Sequence, residues 1–333
     1  MIEKLSVQLV RYKWPLLIAL ALIALLFPYV FTSRYVLRIA ILCLMYCMLS
    51  VSLNLMSGVL GQISFGHAAF WGIGAYTAAI LCKEYGWNGL PLLAVAALMA
   101  GLFGLLLSLP VMHLKGYYFT IVTMVFCQIV RVIEINWMSL TNGPLGIMAI
   151  PKLTLFGVTV KSQTAYYYVI LVLLAVTTWI IQKIIHSRMG YAILAVRDDE
   201  LAAGAMGIHV FKYKVLAIVI SSMMAGAAGW FYSLYTSYID PSCFTQAISN
   251  NMLVMVIFGG LGNMFGSYIG AMLLTILPEV LRGFSEYRQL VFGALLVLLM
   301  LVRPEGLFGS VNFKYISQRL SLKKQRAGGG EHE

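Results

Sequence analysis

The chain has 333 residues, 61% of them hydrophobic and 11% charged, with a mean hydropathy of +0.89. A soluble domain carries roughly 25% charged residues, so these proportions exclude a soluble enzyme or soluble binding domain of useful size. The formal charge of +11 lies between apolar runs and in the C-terminal tail, a distribution that points to membrane topology and away from nucleic acid.

Apolar runs of about 20 residues can cross a hydrocarbon core of roughly 30 Å. The runs here are continuous and do not alternate, which favours helices over a β-barrel. In chain order they predict ten spans, at 15–31, 36–57, 63–82, 91–111, 117–135, 165–184, 214–237, 243–260, 264–281 and 288–302. Lys4, Arg11 and Lys13 precede the first run as in a signal peptide, but no small-x-small cleavage pattern follows, so it reads as an uncleaved first span. With the N-terminus inside, 15 of the 23 Lys and Arg residues fall on the inner side and 8 on the outer. That bias predicts both termini in the cytoplasm. The fold class is therefore an all-α polytopic membrane protein: one transmembrane domain over 1–310 and a basic, disordered cytoplasmic tail over 311–333.

Two polar segments interrupt the spans. The outer segment 136–164 carries turn signals at Asn142-Gly143-Pro144 and Phe156-Gly157. The inner segment 187–214 carries the densest acidic cluster of the chain, Arg197-Asp198-Asp199-Glu200. Asp198 and Asp199 suit the N-terminal end of a short helix, where a carboxylate complements the dipole. Leu201, Ala205 and Ile208 would share one face of it, Ala202, Ala203 and Gly204 would keep another slim, and Gly207 would close it. A compact helix of this kind fits a partner's groove. The alternative, a helix lying on lipid, is disfavoured by its acidic cluster, because the cytoplasmic leaflet is itself negative.

The stretch Asn54–Thr77 is rich in Gly, Ala and Ser within an apolar run. Gly58 and Gly61, ahead of Gln62 and Ser64, predict an unwound start to the third span. Such a break survives in a membrane only where protein or a water-filled path satisfies the backbone. Two readings stay open: Gly58, Gly61, Gln62, Ser64, Gly66 and His67 line a translocation path, or they serve tight helix packing. Residues 58–66 and 259–266 are both glycine-punctuated and follow spans two and eight, so spans 2–5 and 7–10 would form an inverted repeat.

Signals for chemistry are scarce. The chain holds no Gly-Lys pair, hence no P-loop, and no HExxH or GxSxG. The five cysteines, at 43, 47, 82, 127 and 243, have neither CxxC nor metal-site spacing. Within the spans the ionisable residues are Arg38, His67, Arg131, Glu134 and Glu279; Arg131 and Glu134 lie three apart and could pair. Without a mid-membrane carboxylate for ion coupling, the energy source is expected in another chain.

The stretches LSVSLNLMSGVLGQISFGHAAFWGIGAYTAA, KGYYFTIVTMVF, TNGPLGI, SRMGYAILAVRDDELAAGAMGI and FGGLGNMFGSYIGA resemble, in this order, the permease family of branched-chain amino acid ABC importers, which includes urea and amide permeases. The longer of the two paired permeases is the nearer likeness. The resemblance implies an inner-membrane, multi-pass transport subunit that is not an enzyme. It implies a homologous sister permease, two cytoplasmic ATPases that bind ATP and Mg, and a periplasmic substrate-binding protein, with no cofactor or metal on this chain. It also makes Arg197, Asp198, Asp199, Glu200, Leu201, Ala203, Gly207 and Ile208 an ATPase-docking coupling helix. Importer permeases often carry E-A-A-x-x-x-G there; Ala202, Ala203 and Gly207 match, while Leu201 stands where the Glu belongs and Glu200 is one position early. The expected substrate is leucine, isoleucine or valine, with urea or a short amide as the alternative. A stand-alone carrier or channel is the rival class.

Overall fold

A computed structural model describes residues 24–31, 33–111, 116–155, 157–280, 293, 297, 306 and 307. Its main helices are α1 (Arg34–Asn54), α2 (His67–Tyr85), α3 (Gly89–Val111), α4 (Tyr117–Asn136), α5 (Gln163–Ile185), α6 (Arg188–Asp198), α7 (Glu200–Ala205), α8 (Val210–Thr236), α9 (Gln246–Gly259) and α10 (Met264–Val280). α1 runs on into a π-helical turn, Leu55–Val59. Among the described residues, five helices are long and apolar enough to cross a membrane: α1 with its π turn, α3, α4, α5 and α8. α9 and α10 are shorter apolar helices. Eight of the ten expected spans thus appear as helices. Of the other two, the first is described only from residue 24 and the tenth only at residues 293 and 297; the tail 311–333 lies outside the described residues.

α8 sits at the centre, packed against α2 and α3, while α1 packs against α5, α8 and α10. The reason is legible in Ala225-Gly226-Ala227-Ala228-Gly229, a run of small residues in mid-helix. A Cβ at Gly74 of α2 would lie 2.3 Å from Gly226 O, so the two backbones touch. Lipid gives helices no hydrophobic reason to associate, so such close approach, with its dispersion contacts, is what holds them together. Trp71, Trp230, Phe70, Phe231 and Phe244 fill the space around this seam.

Contacts between connecting segments sort the helix ends. β1 (Ile147–Met148) pairs antiparallel with β4 (Tyr238–Ile239), joining the α4–α5 segment to the C-terminal end of α8. Within the same segment β2 (Thr154–Leu155) and β3 (Val158–Thr159) form a hairpin with Gly157 at its tip, where the turn signal lies. Asn88 Nδ2 donates to Lys152 O at 2.9 Å, adding the α2–α3 turn to this end. Tyr35 Oη donates to Glu279 Oε1, adding the start of α1 and the end of α10. The opposite end gathers the α1–α2 connection, the start of α4, α6–α7 and the α9–α10 turn, through the contacts described next.

Candidate functional site

The α1–α2 connection is the first component. Residues 60–66 lie outside any helix, and α2 begins at His67, four residues later than the expected start at 63. Unwinding leaves backbone N–H groups that need new acceptors within a buried segment. Most of them find one. Gln62 N donates to Met56 O at 3.1 Å. Ser64 N reaches Ser57 Oγ at 3.3 Å, Phe65 N reaches Thr123 Oγ1 at 3.1 Å, and Gly66 N reaches Ser64 Oγ at 3.2 Å. Ala68 N, in the first turn of α2, meets Ser249 Oγ at 3.4 Å. Thr120 Oγ1 of α4 donates to Ile63 O at 3.0 Å. The serines and threonines of α1, α4 and α9 thus make the break tolerable.

His67 is fully buried. Its Nε2 lies 2.8 Å from Ser52 Oγ, and Ser221 Oγ of α8 donates to Ser52 O at 2.6 Å. This chain of bonds ties α1, α2 and α8 together, which is the packing role for His67. Of the expected path residues, Gly58, Gln62, Ser64, Gly66 and His67 are buried and only Gly61 is exposed. They form one continuous polar seam, and most of it faces protein. A surface cleft of 410 Å³ lies at the opposite end, lined by Asn88, Gly89, Pro91, Thr154 and Gly157.

The α6–α7 corner is the second component, and here the expected single helix is corrected. There are two helices, and Asp198 is the last residue of α6, not a first-turn residue of the next. Asp199 alone caps α7: its Oδ1 accepts from Leu201 N at 2.8 Å and Ala202 N at 3.1 Å. Its φ of −156° and ψ of 113° give the extended kink that separates the two helices. Gly207, with φ +81°, closes α7. The polar segment is also shorter than expected, because Lys212 and Lys214 belong to the first turns of α8.

The side chains of this corner divide into two sets. Leu201 and Met206 are 79% and 83% exposed, and Asp198, Ala202, Gly204, Ala205 and Gly207 are exposed beside them. Ile208 is half-buried and Ala203 is buried against the rest of the molecule. Arg197 and Glu200 turn to internal partners instead. Glu200 Oε1 lies 2.5 Å from Nζ of Lys214, whose side chain is nearly inaccessible. Arg197 Nη1 donates to Gly58 O at 3.1 Å, and its Nε lies 3.4 Å from Asp198 Oδ1.

The third component was invisible as a contact in the sequence. Asn54 Oδ1 accepts from Gly262 N at 2.8 Å, so the α9–α10 turn docks on the end of α1. A Cβ at Gly58 would lie 2.2 Å from Gly262 N. The two glycine-punctuated segments, paired in the sequence by their likeness, therefore touch. Their Gly content was the available signal, since backbones this close exclude any side chain. Arg131 and Glu134 form no hydrogen bond with each other. Glu134 is buried with its carboxylate against Gly72, where a Cβ would lie 2.8 Å from Oε1.

Comparison with known proteins then gives this arrangement a lineage. Residues 35–300 match the family described as branched-chain amino acid transport system / permease component. The chain is 36% identical over 315 residues to the high-affinity branched-chain amino acid transport system permease protein LivM of Escherichia coli, covering 87% of this chain and 74% of that protein. It is 34% identical to LivM of Salmonella typhimurium, covering 94% and 78%. The high-affinity branched-chain amino acid transport system permease protein LivH of Salmonella typhimurium is 25% identical over 290 residues, covering 79% of this chain and 91% of that protein. No solved structure matches. With the family match running from the first turn of α1 past the end of α10, the chain belongs to the permease family of branched-chain amino acid transport systems.

Proposed function

We propose that the chain is the membrane-spanning subunit of an ATP-driven importer of branched-chain amino acids, and that energy enters it at the α6–α7 corner. The observation that carries the reading is the family match over residues 35–300, together with relatives named for this transport at 34–36% identity. The end carrying α6–α7 faces the cytoplasm in this reading, in line with the Lys and Arg bias. Leu201 and Met206 offer an exposed apolar tip suited to a groove on an ATPase subunit, with Asp198 beside them for charge contact. The chain has no P-loop of its own, so two ATPases supply hydrolysis. LivM and LivH both match this chain, which supports a pairing with a homologous sister permease. A secreted binding protein would then select the substrate at the outer end.

The test is reconstitution. The chain, its sister permease, two ATPases and the binding protein are assembled in proteoliposomes, and uptake of labelled leucine, urea and acetamide is followed with and without ATP. ATP-dependent leucine uptake is expected. Uptake of urea or acetamide in its place overturns the substrate, and leucine flux without the ATPases overturns the class.

A further inference from the structure

Arg197 occupies an unusual position. It is the penultimate residue of α6, two residues before the kink at Asp199 that leads into α7. Its guanidinium leaves the corner and reaches the carbonyl of Gly58, 139 residues away in sequence. That carbonyl lies where α1 loses its α-helical register. In an α-helix Gln62 N would close on Gly58 O, but it donates to Met56 O instead. The aliphatic stem of Arg197 covers Gly61, where a Cβ would lie 2.5 Å from Arg197 Cγ. On the far side lies Gly262, whose Cβ would be 3.6 Å from Nη1 and 3.4 Å from Gly58 O. One side chain therefore touches the corner, the α1–α2 break and the α9–α10 turn.

We propose that Arg197 is a positioning residue that carries movement of the α6–α7 corner to the break between α1 and α2 and to the α9–α10 turn facing it. The inference rests on the reading of the corner as the ATPase-docking surface. Three features fit it physically. A charge-assisted bond to a carbonyl is about twice as strong as a neutral one, so it can transmit a pull. The carbonyl belongs to the π-helical turn at the unwound end of α1, where a small displacement meets less resistance than in a regular helix. Gly58, Gly61 and Gly262 leave the guanidinium no intervening side chain, so the coupling is from corner to backbone directly. Glu200 with Lys214 supplies a second fixed point on α8, so that displacement of the corner would rotate it about that ion pair and swing Arg197.

The experiment uses the complete transporter in proteoliposomes. Arg197→Met keeps the stem over Gly61 and removes the donor to Gly58 O. Arg197→Lys keeps charge and one donor but loses the planar fork. The expected result is that R197M still assembles with its ATPases, with at most a small fall in the melting temperature of the complex from the lost bond. Leucine uptake, and stimulation of hydrolysis by leucine-loaded binding protein, should fall about 5- to 150-fold, the span of ordinary coupling energies. R197K should recover part of both. Uptake and stimulation unchanged in R197M overturn the inference, and so does loss of assembly in both variants, which would make Arg197 a folding residue. A parallel variant, Leu201→Asp with Met206→Asp, reports on docking alone through release of the ATPases. If it releases them and R197M is silent, only the transmission role fails. If it does not release them, the docking reading fails and the inference falls with it.

Discussion

Asp199→Ala is the most direct perturbation of the corner. The wild-type carboxylate oxygen accepts two backbone donors, Leu201 N at 2.8 Å and Ala202 N at 3.1 Å. Replacing an Asp N-cap by Ala costs about 1 kcal/mol, with 2 kcal/mol as the upper range. Loss of a charge at the helix N-terminus adds about 0.3–1 kcal/mol. The combined loss of ~1.3–3 kcal/mol corresponds to roughly a 10- to 160-fold rise in the unfolded fraction of α7. α7 is only six residues long and cannot recover this by propagation, because helix nucleation dominates at that length. Hydrogen exchange of the Leu201–Ile208 amides in nanodiscs is the assay, and D199A should accelerate it by that factor. D199N retains the acceptor and should restore most of the protection while leaving the dipole contribution lost. Equal exchange in D199A and wild type would refute the argument, because α7 would then be held by packing of Ala203 alone.

Glu200→Gln leaves Lys214 buried with a weaker partner. Removing one member of a buried pair costs 3–5 kcal/mol, and the partial exposure of Glu200 reduces this to about 1–3 kcal/mol, to be read as a lower melting temperature. Lys214→Met in the same background should recover it. His67→Ala breaks the bond to Ser52 Oγ and opens a void between α1 and α2, so a loss of about 2–4 kcal/mol in stability is expected. If H67A instead keeps its stability and loses only leucine flux, His67 is a path residue. Gly66→Leu places a Cβ 2.5 Å from Thr123 O and should abolish uptake.

Much of the fold was legible because apolar length and glycine punctuation act locally. Spans at 91–111, 117–135 and 264–281 match their helices to within two residues. The unwound start of α2 followed from Gly58 and Gly61, and the close of α7 from Gly207; Gly61 and Gly207 both take the left-handed φ that favours glycine. The division of α6 from α7 was not legible. Asp198 and Asp199 are equally good caps by residue type, and in the fold Asp198 ends α6 while Asp199 takes the extended conformation that caps α7. The partners of Glu200 and Arg197 were not legible for a similar reason: a charge in a polar segment looks solvated until its neighbours are placed.

The sequence by itself determined that this is a bundle of apolar helices, with one polar segment within 187–214 and one glycine-rich break at 58–66. Hydropathy sets the first, because lipid demands internally satisfied backbone over each span. Only the tertiary structure decided that the corner, the break and the α9–α10 turn are one assembly centred on Arg197. The physical reason is separation. Gly58, Arg197 and Gly262 lie far apart in the chain, and what joins them is contact between backbones brought close by glycine, to which no local pattern of residues corresponds.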